Sequence, residues 1–188
     1  MRIIISLIIL VLLLISCQNN TSKPASIATT KQFPALEGQD DKTAFLQEIF
    51  DADQSIRTQS NEIKEKYGVD SDEDIEFAKS INAVDDANLE KIGWYLEKYD
   101  YPDMKIYGET ISLTPALVVH HSIDKNVRRT FYPKFKSAYD NGLLKPDFFA
   151  LYLGRIYEIE NGSYFRMKSP YQIEDQIDSL IVELNLED

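Results

Sequence analysis

Phe45, Ile49, Ala52, Ile56, Ile63 and Tyr67 recur at spacings of three, four and seven, the period of an amphipathic helix, and Gly68 offers it a C-terminal stop. Ser71, with Asp74 three residues on, resembles a capping box and predicts a short helix carrying Ile75, Ala78, Ile81 and Val84. Asp85 or Asp86 then caps another helix with Leu89, Ile92, Leu96 and Tyr99 on one face. Pro102 and Gly108 interrupt the period between Tyr99 and Glu109, which predicts the longest internal loop. Thr114-Pro115 suits the cap and first position of a helix through Ile123. A further helix is expected from about Asp124 to Tyr139, bent or restarted at Pro133 and ended by Asn141-Gly142. The next runs from Pro146 or Asp147 to Asn161-Gly162, and Ile173, Ile177, Leu180 and Leu184 mark the last. Period-two alternation is scarce. The expected fold is therefore mostly α, a single compact multi-helix domain with at most a short extended or hairpin piece around Ser163–Lys168.

The first seventeen residues, MRIIISLIILVLLLISC, follow a different rule. One basic residue, Arg2, precedes an apolar run of about a dozen residues, the layout of a secretory signal peptide and too short to favour a spanning helix of ~20 residues. Leu14-Ile15-Ser16-Cys17 resembles the bacterial lipobox. That resemblance implies cleavage ahead of Cys17, a diacylglyceryl group on its thiol and acylation of the new amine, an anchor strengthened by ~0.8 kcal/mol per buried methylene. Cys17 is the only cysteine of the 188 residues, so no intrachain disulfide can form and the domain must stand on its core. Gln18 in place of an aspartate leans toward the periplasmic face of an outer membrane. The chain thus divides into a signal peptide over 1–16, a lipidated cysteine with a Ser-, Thr-, Asn- and Pro-rich tether over 17–40, and a domain over 41–188. Removing the leader takes away Arg2 and no acid. The mature net charge falls from −11 to about −12, with 19 basic side chains against 31 acidic ones. Such a field opposes attachment to nucleic acid or to an anionic membrane surface, so membrane association is assigned to the lipid at Cys17.

Within the domain, a few polar residues fall on apolar faces. Asp53 and Arg57 lie inside the arc of Phe45, Ile49, Ala52 and Ile56, spaced i to i+4 with the acid first, the better orientation for a helical ion pair. Arg155 projects between Leu151 and Phe148 on the arc that also holds Tyr152, Ile156 and Ile159. His120 and His121, the only histidines, sit in apolar surroundings. Consecutive on a helix, they diverge by about 100° and cannot grip one metal ion together. His120 can meet Asp124 one turn on, and His121 is expected to point inward.

Two readings follow. In one, Asp53, Arg57, His121 and Arg155 converge in a catalytic site, an aspartate orienting an acid–base imidazole while two guanidinium groups hold an anionic substrate. In the other they form a satisfied core network that fixes how the helices pack. No nucleophile motif, metal cluster or glycine-rich phosphate loop is present, so no cofactor or metal is expected. Ser71–Glu76 lacks the calcium-loop pattern and reads as a solvated helix start. Phe148, Phe149, Tyr152 and Tyr157 fit either core or a patch for a partner protein. The expected functions are accordingly a binding or structural module, a hydrolase-like enzyme, or an inhibitor or immunity-type protein whose acidic surface docks a basic partner.

Several of these positions carry a resemblance. ADQSIR (Ala52–Arg57), KYDYP (Lys98–Pro102), Gly108, VVHHSID (Val118–Asp124) and LGRIYEIENG (Leu153–Gly162) stand in the order DQ..R, GWP-like turn, glycine, QH and DR. The segment YQIEDQIDSLIVELNL closes the series. The mature domain in this respect resembles an uncharacterised bacterial family, a domain of unknown function often found behind signal peptides. The resemblance implies that Asp53, Gln54, Arg57, His121 and Arg155 take the family's polar positions. It departs at Gly154, where an aspartate would stand, and at Phe165–Pro170, where a YGTQ-like segment would stand. It implies no activity.

Overall fold

The computed structural model describes residues 33–167 and 169–187; the expected signal peptide, Cys17 and most of the tether lie outside them. Seven helices follow in order: α1 (Gln39–Tyr67), α2 (Asp72–Tyr99), α3 (Met104–Ser112), α4 (Thr114–His121), α5 (Lys125–Asp140), α6 (Pro146–Asn161) and α7 (Ile173–Glu183). No strand occurs among the described residues, and the mostly α class is the one the chain adopts. No described helix is long and apolar enough to cross a membrane.

The helix ends follow local chemistry. Gly68, at φ 96°, stops α1, and the Ser71 hydroxyl accepts the Asp74 N–H at 3.2 Å to open α2. Asp124 caps α5 by accepting from the backbone N–H of Asn126 and Val127. Because α4 ends at His121 and Ser122 is extended, Asp124 is not one helical turn from His120, contrary to the expectation. Gly162, in the left-handed region, closes α6.

Several expected boundaries move. The short helix and its successor are one helix, α2, and Asp85 and Asp86 sit inside it. No glycine or proline lies between Ile75 and Leu89, and Asp85 reaches sideways to α1 instead of capping. The loop expected over Tyr99–Glu109 is largely α3, because Asp103 accepts the Lys105 N–H at 2.8 Å and starts a helix; Gly108, at φ 77°, interrupts it. α4 takes Leu113 as its cap, with Thr114 its first residue, and ends at His121, so Ile123 lies beyond it and is exposed. α5 continues through Pro133 as one helix. Ser163–Met167 has no regular structure. The last tether residues join the domain: the Phe33 ring lies 5.3 Å from that of Trp94, and the Leu36 N–H donates to the Tyr99 hydroxyl at 2.8 Å.

α1 and α2 form a hairpin about 40 Å long at 1.5 Å per residue. Its inner half buries Leu46, Ile49 and Ile56 from α1 and Ile92 to Leu96 from α2. From residue 61 to 87 only Asp74 is buried, because no other helix covers that half, and Val69 and Ile75 stay exposed. The remaining core comes from Ile111 of α3, Val118 and Val119 of α4, and from α5, α6 and α7, where Phe135 meets Tyr152 at 4.7 Å between ring centroids and Leu153, Ile156 and Leu180 close the packing. Phe149 and Tyr152 are core residues, which removes them from an exposed patch. The buried face of α6 is Phe149, Ala150, Tyr152, Leu153 and Ile156; Leu151, placed on the apolar arc from sequence, is half exposed. The buried stripe is turned toward α5 and α7, which leaves Leu151 and Arg155 facing the other way.

Candidate functional site

α1, α2 and α4 meet at a buried carboxylate. Asp53, 2 % exposed, holds His121 Nδ1 at 2.7 Å on one oxygen and the Gln54 amide N–H at 2.8 Å on the other. Burial alone would raise its pKa; the hydrogen bond and charge of His121, the Arg57 guanidinium and the Gln54 bond outweigh that and hold it below its ordinary value. An ionised carboxylate only accepts, so Nδ1 of His121 must carry the proton, and in the neutral ring the lone pair is on Nε2. Arg57 lies one turn from Asp53, 3.6 Å from Oδ1, and its main partner is Asp85 of α2. Asp53, Asp85 and His121 bring three potential ligand atoms within 4.8 Å of one another, and the Arg57 guanidinium supplies the positive charge between the two acids.

His121 faces two ways. α4, α6, the rings of Tyr164, Phe165 and Tyr171 and the start of α7 enclose an open cavity of about 620 Å³, which His121 lines together with His120, Gly154, Arg155 and Glu158. Arg155, a third exposed, donates from Nη1 to Glu158 at 2.5 Å, one turn on. Of the four residues expected to converge, Asp53, Arg57 and His121 are joined directly, and Arg155 shares a cavity with His121. Arg57 does not line that cavity. It ties α1 to α2 through Asp85.

Behind the cavity lies a residue that sequence reasoning missed. Arg128 of α5 is fully buried, and no carboxylate lies within ion-pair distance of it among the described residues. Its Nε donates to the Ser122 carbonyl at 2.7 Å, its Nη2 to the His120 carbonyl, and its Nη1 has no partner. Burial first, and then the nearby Arg155, push its pKa down to about 10. The signal was present: Arg128, Phe131, Phe135 and Ala138 recur at spacings of three, four and three, so Arg128 falls on the buried face of α5 as Asp53 does on α1. His120 shares this neighbourhood. Its Nδ1 is buried without a partner, and burial, then Arg128, His121 and Arg155, lower its pKa to about 4.

The result is a small cavity with a carboxylate-oriented imidazole on one wall, a neutral second imidazole beside it and two guanidinium groups at or behind the surface. Comparison with protein-family models, with curated proteins and with solved structures finds no match to this chain, so the motif resemblance rests on its own residues.

Proposed function

We propose that this chain is a lipid-anchored cell-envelope protein whose helical domain is a binding module for a small ligand taken up in the His120–His121–Arg155 cavity. The anchor is Cys17, from the lipobox-like Leu14–Cys17, and the periplasmic face of an outer membrane is its place. The observation that carries the binding reading is that buried Asp53 holds one edge of His121 at 2.7 Å while the same ring lines a cavity of about 620 Å³. That volume is in the range of small-molecule sites, and the lining combines aromatic surface with a few convergent polar groups, as such sites do. A network serving packing alone would have no need to present His121 to the cavity.

Two experiments test the proposal. Cys17→Ser is expected to move the chain from the membrane to the soluble fraction and to abolish acyl incorporation; a chain that still fractionates with membranes contradicts the anchor. A Cβ at Gly154 meets nothing within 4 Å, so Gly154→Phe can fill the cavity without displacing backbone. Ligands that raise the melting temperature of the wild type should fail to do so in Gly154→Phe, since binding stabilises by mass action. Equal shifts in both proteins would place binding elsewhere.

The second reading, a hydrolase-like enzyme, is favoured by the Asp53–His121 pair itself. A carboxylate that fixes the Nδ1–H tautomer leaves Nε2 to take a proton from water or from a bound substrate. In that case His121→Asn keeps ligand binding and loses ~10²- to 10⁴-fold in turnover, the usual contribution of a positioned base. Unchanged turnover in His121→Asn removes the enzymatic reading and leaves the binding module.

A further inference from the structure

We infer that the ligand of this cavity carries an anionic group, a carboxylate or a phosphate oxyanion, bound by Arg155 beside His120 with the unpaired Arg128 guanidinium behind it. The inference rests on the cavity being a ligand site and names the chemical class it takes.

The argument starts from charge distribution. The chain has 31 acids and 20 bases, so acids are in ample supply to neutralise every cation. Elsewhere they do: Lys91 pairs with Glu48, Lys134 with Asp100, and Arg129 with Glu160. Arg128 is the exception among these, fully buried with only two carbonyl partners and Nη1 unmatched. A buried cation without a counter-charge costs several kcal/mol, and guanidinium groups are buried chiefly where they meet a carboxylate or phosphate. The site of this deficit adjoins the cavity. Arg128 donates to the backbone of His120, a lining residue; its charge is felt by His120, and it lies near enough to Arg155 to feel that guanidinium in turn. The negative charge paired with Arg155 comes from Glu158, which accepts from Nη1, the one ion pair Arg155 makes among the described residues. Asp147 also lines the cavity but pairs with neither arginine. Asp53 is turned to the far side of His121. An anion entering beside Arg155 supplies the missing counter-charge and meets the planar, bidentate geometry that Arg recognises best.

The test uses the full chain in detergent and three probes of similar shape: benzoate, phenyl phosphate and benzyl alcohol. Binding is read by chemical-shift changes of the His120 and His121 ring protons. Wild type is expected to bind at least one anion tighter than the alcohol, and the preferred anion separates the carboxylate from the phosphate source. Arg155→Gln should weaken that anion at least ten-fold. Glu158→Gln, which removes the competing carboxylate, should strengthen it several-fold. Gly154→Asp, which puts a carboxylate into open space on the same wall, should weaken it at least ten-fold while leaving the alcohol unchanged. A merely structural Arg155 would not produce the opposite sign at Glu158. If the alcohol binds as well as both anions, or if Arg155→Gln leaves anion affinity unchanged, the inference fails while the cavity remains a ligand site. If benzyl alcohol, benzoate and phenyl phosphate all leave the histidine protons unmoved, both the inference and the ligand-site reading fall.

Discussion

Asp53→Ala should destabilise the domain by about 3–5 kcal/mol, the usual loss when one member of a buried charged network is removed. At ~2–4 °C per kcal/mol for a domain of this size, the melting temperature falls by roughly 10 °C. The carboxylate is 2 % exposed and serves His121, Gln54 and Arg57 at once. Without it the His121 Nδ1–H loses its acceptor, and Arg57, whose Nε already lacks a partner, is left to Asp85 alone. Three helices are loosened together, because Asp53 is on α1, Asp85 on α2 and His121 on α4. Asp53→Asn should cost less, since an amide oxygen can still accept from His121 while the charge is lost. Thermal melts of the two variants decide the point. A loss under about 1 kcal/mol for Asp53→Ala would mean that the network does not hold α1, α2 and α4 together.

Acid should weaken the protein in two separable steps, and His120 sets the first. Its folded pKa of about 4 lies below its ordinary value of 6.5, so the unfolded chain binds the proton more tightly. Stability is then complete above pH 6.5, declines as pH falls toward 4, and levels off below. The groups facing the ring are Arg128, His121 and Arg155, all of which disfavour its charge, and Glu158, which favours it. The full shift would correspond to about 3 kcal/mol, and a ring that stays partly solvated reduces the expected loss to about 1–2 kcal/mol. Carboxylates set the second step, Asp53 foremost because it is the buried one. Its folded pKa is depressed, so its contribution is present above its ordinary value near 3.8 and disappears as pH falls further, and the arginine-paired Glu158 and Glu160, also depressed, add to the same loss. Denaturant midpoints measured across pH 2–8 should show both steps. His120→Gln should flatten only the decline between pH 6.5 and 4, and an unchanged slope in that variant would assign the titration to another group.

Much of the molecule was legible in one dimension because the information is local. Helical period, Gly68, the Ser71 cap, Asn141-Gly142 and Gly162 each act within a few residues, so the class of fold and most helix ends could be read directly. The inward-facing Asp53 and His121 were legible for a related reason. An ionisable residue on an apolar arc must find a partner, although the arc does not say which. Boundaries failed where a side chain had a distant use. Asp85 reads as a cap until Arg57 of α1 is beside it, and Asp124 reads as a partner for His120 until α4 is seen to end at His121.

The residues by themselves determined a mostly helical domain and a small set of charges on apolar arcs, of which Asp53 is buried, since both follow from period. They also carried the lipobox-like Cys17 as an expectation of anchoring. Only the tertiary structure decided that Arg57 pairs with Asp85, that Arg155 shares a cavity with His121, and that Arg128 lies behind it without a counter-ion. Those facts depend on how α1 lies against α2 and how α4, α5 and α6 are brought together by packing residues distant in sequence, and no spacing along one helix encodes the distance to another. The cavity itself is such a fact: Gly154 and His121 are 33 positions apart in the chain and stand on one wall only once α4 lies against α6.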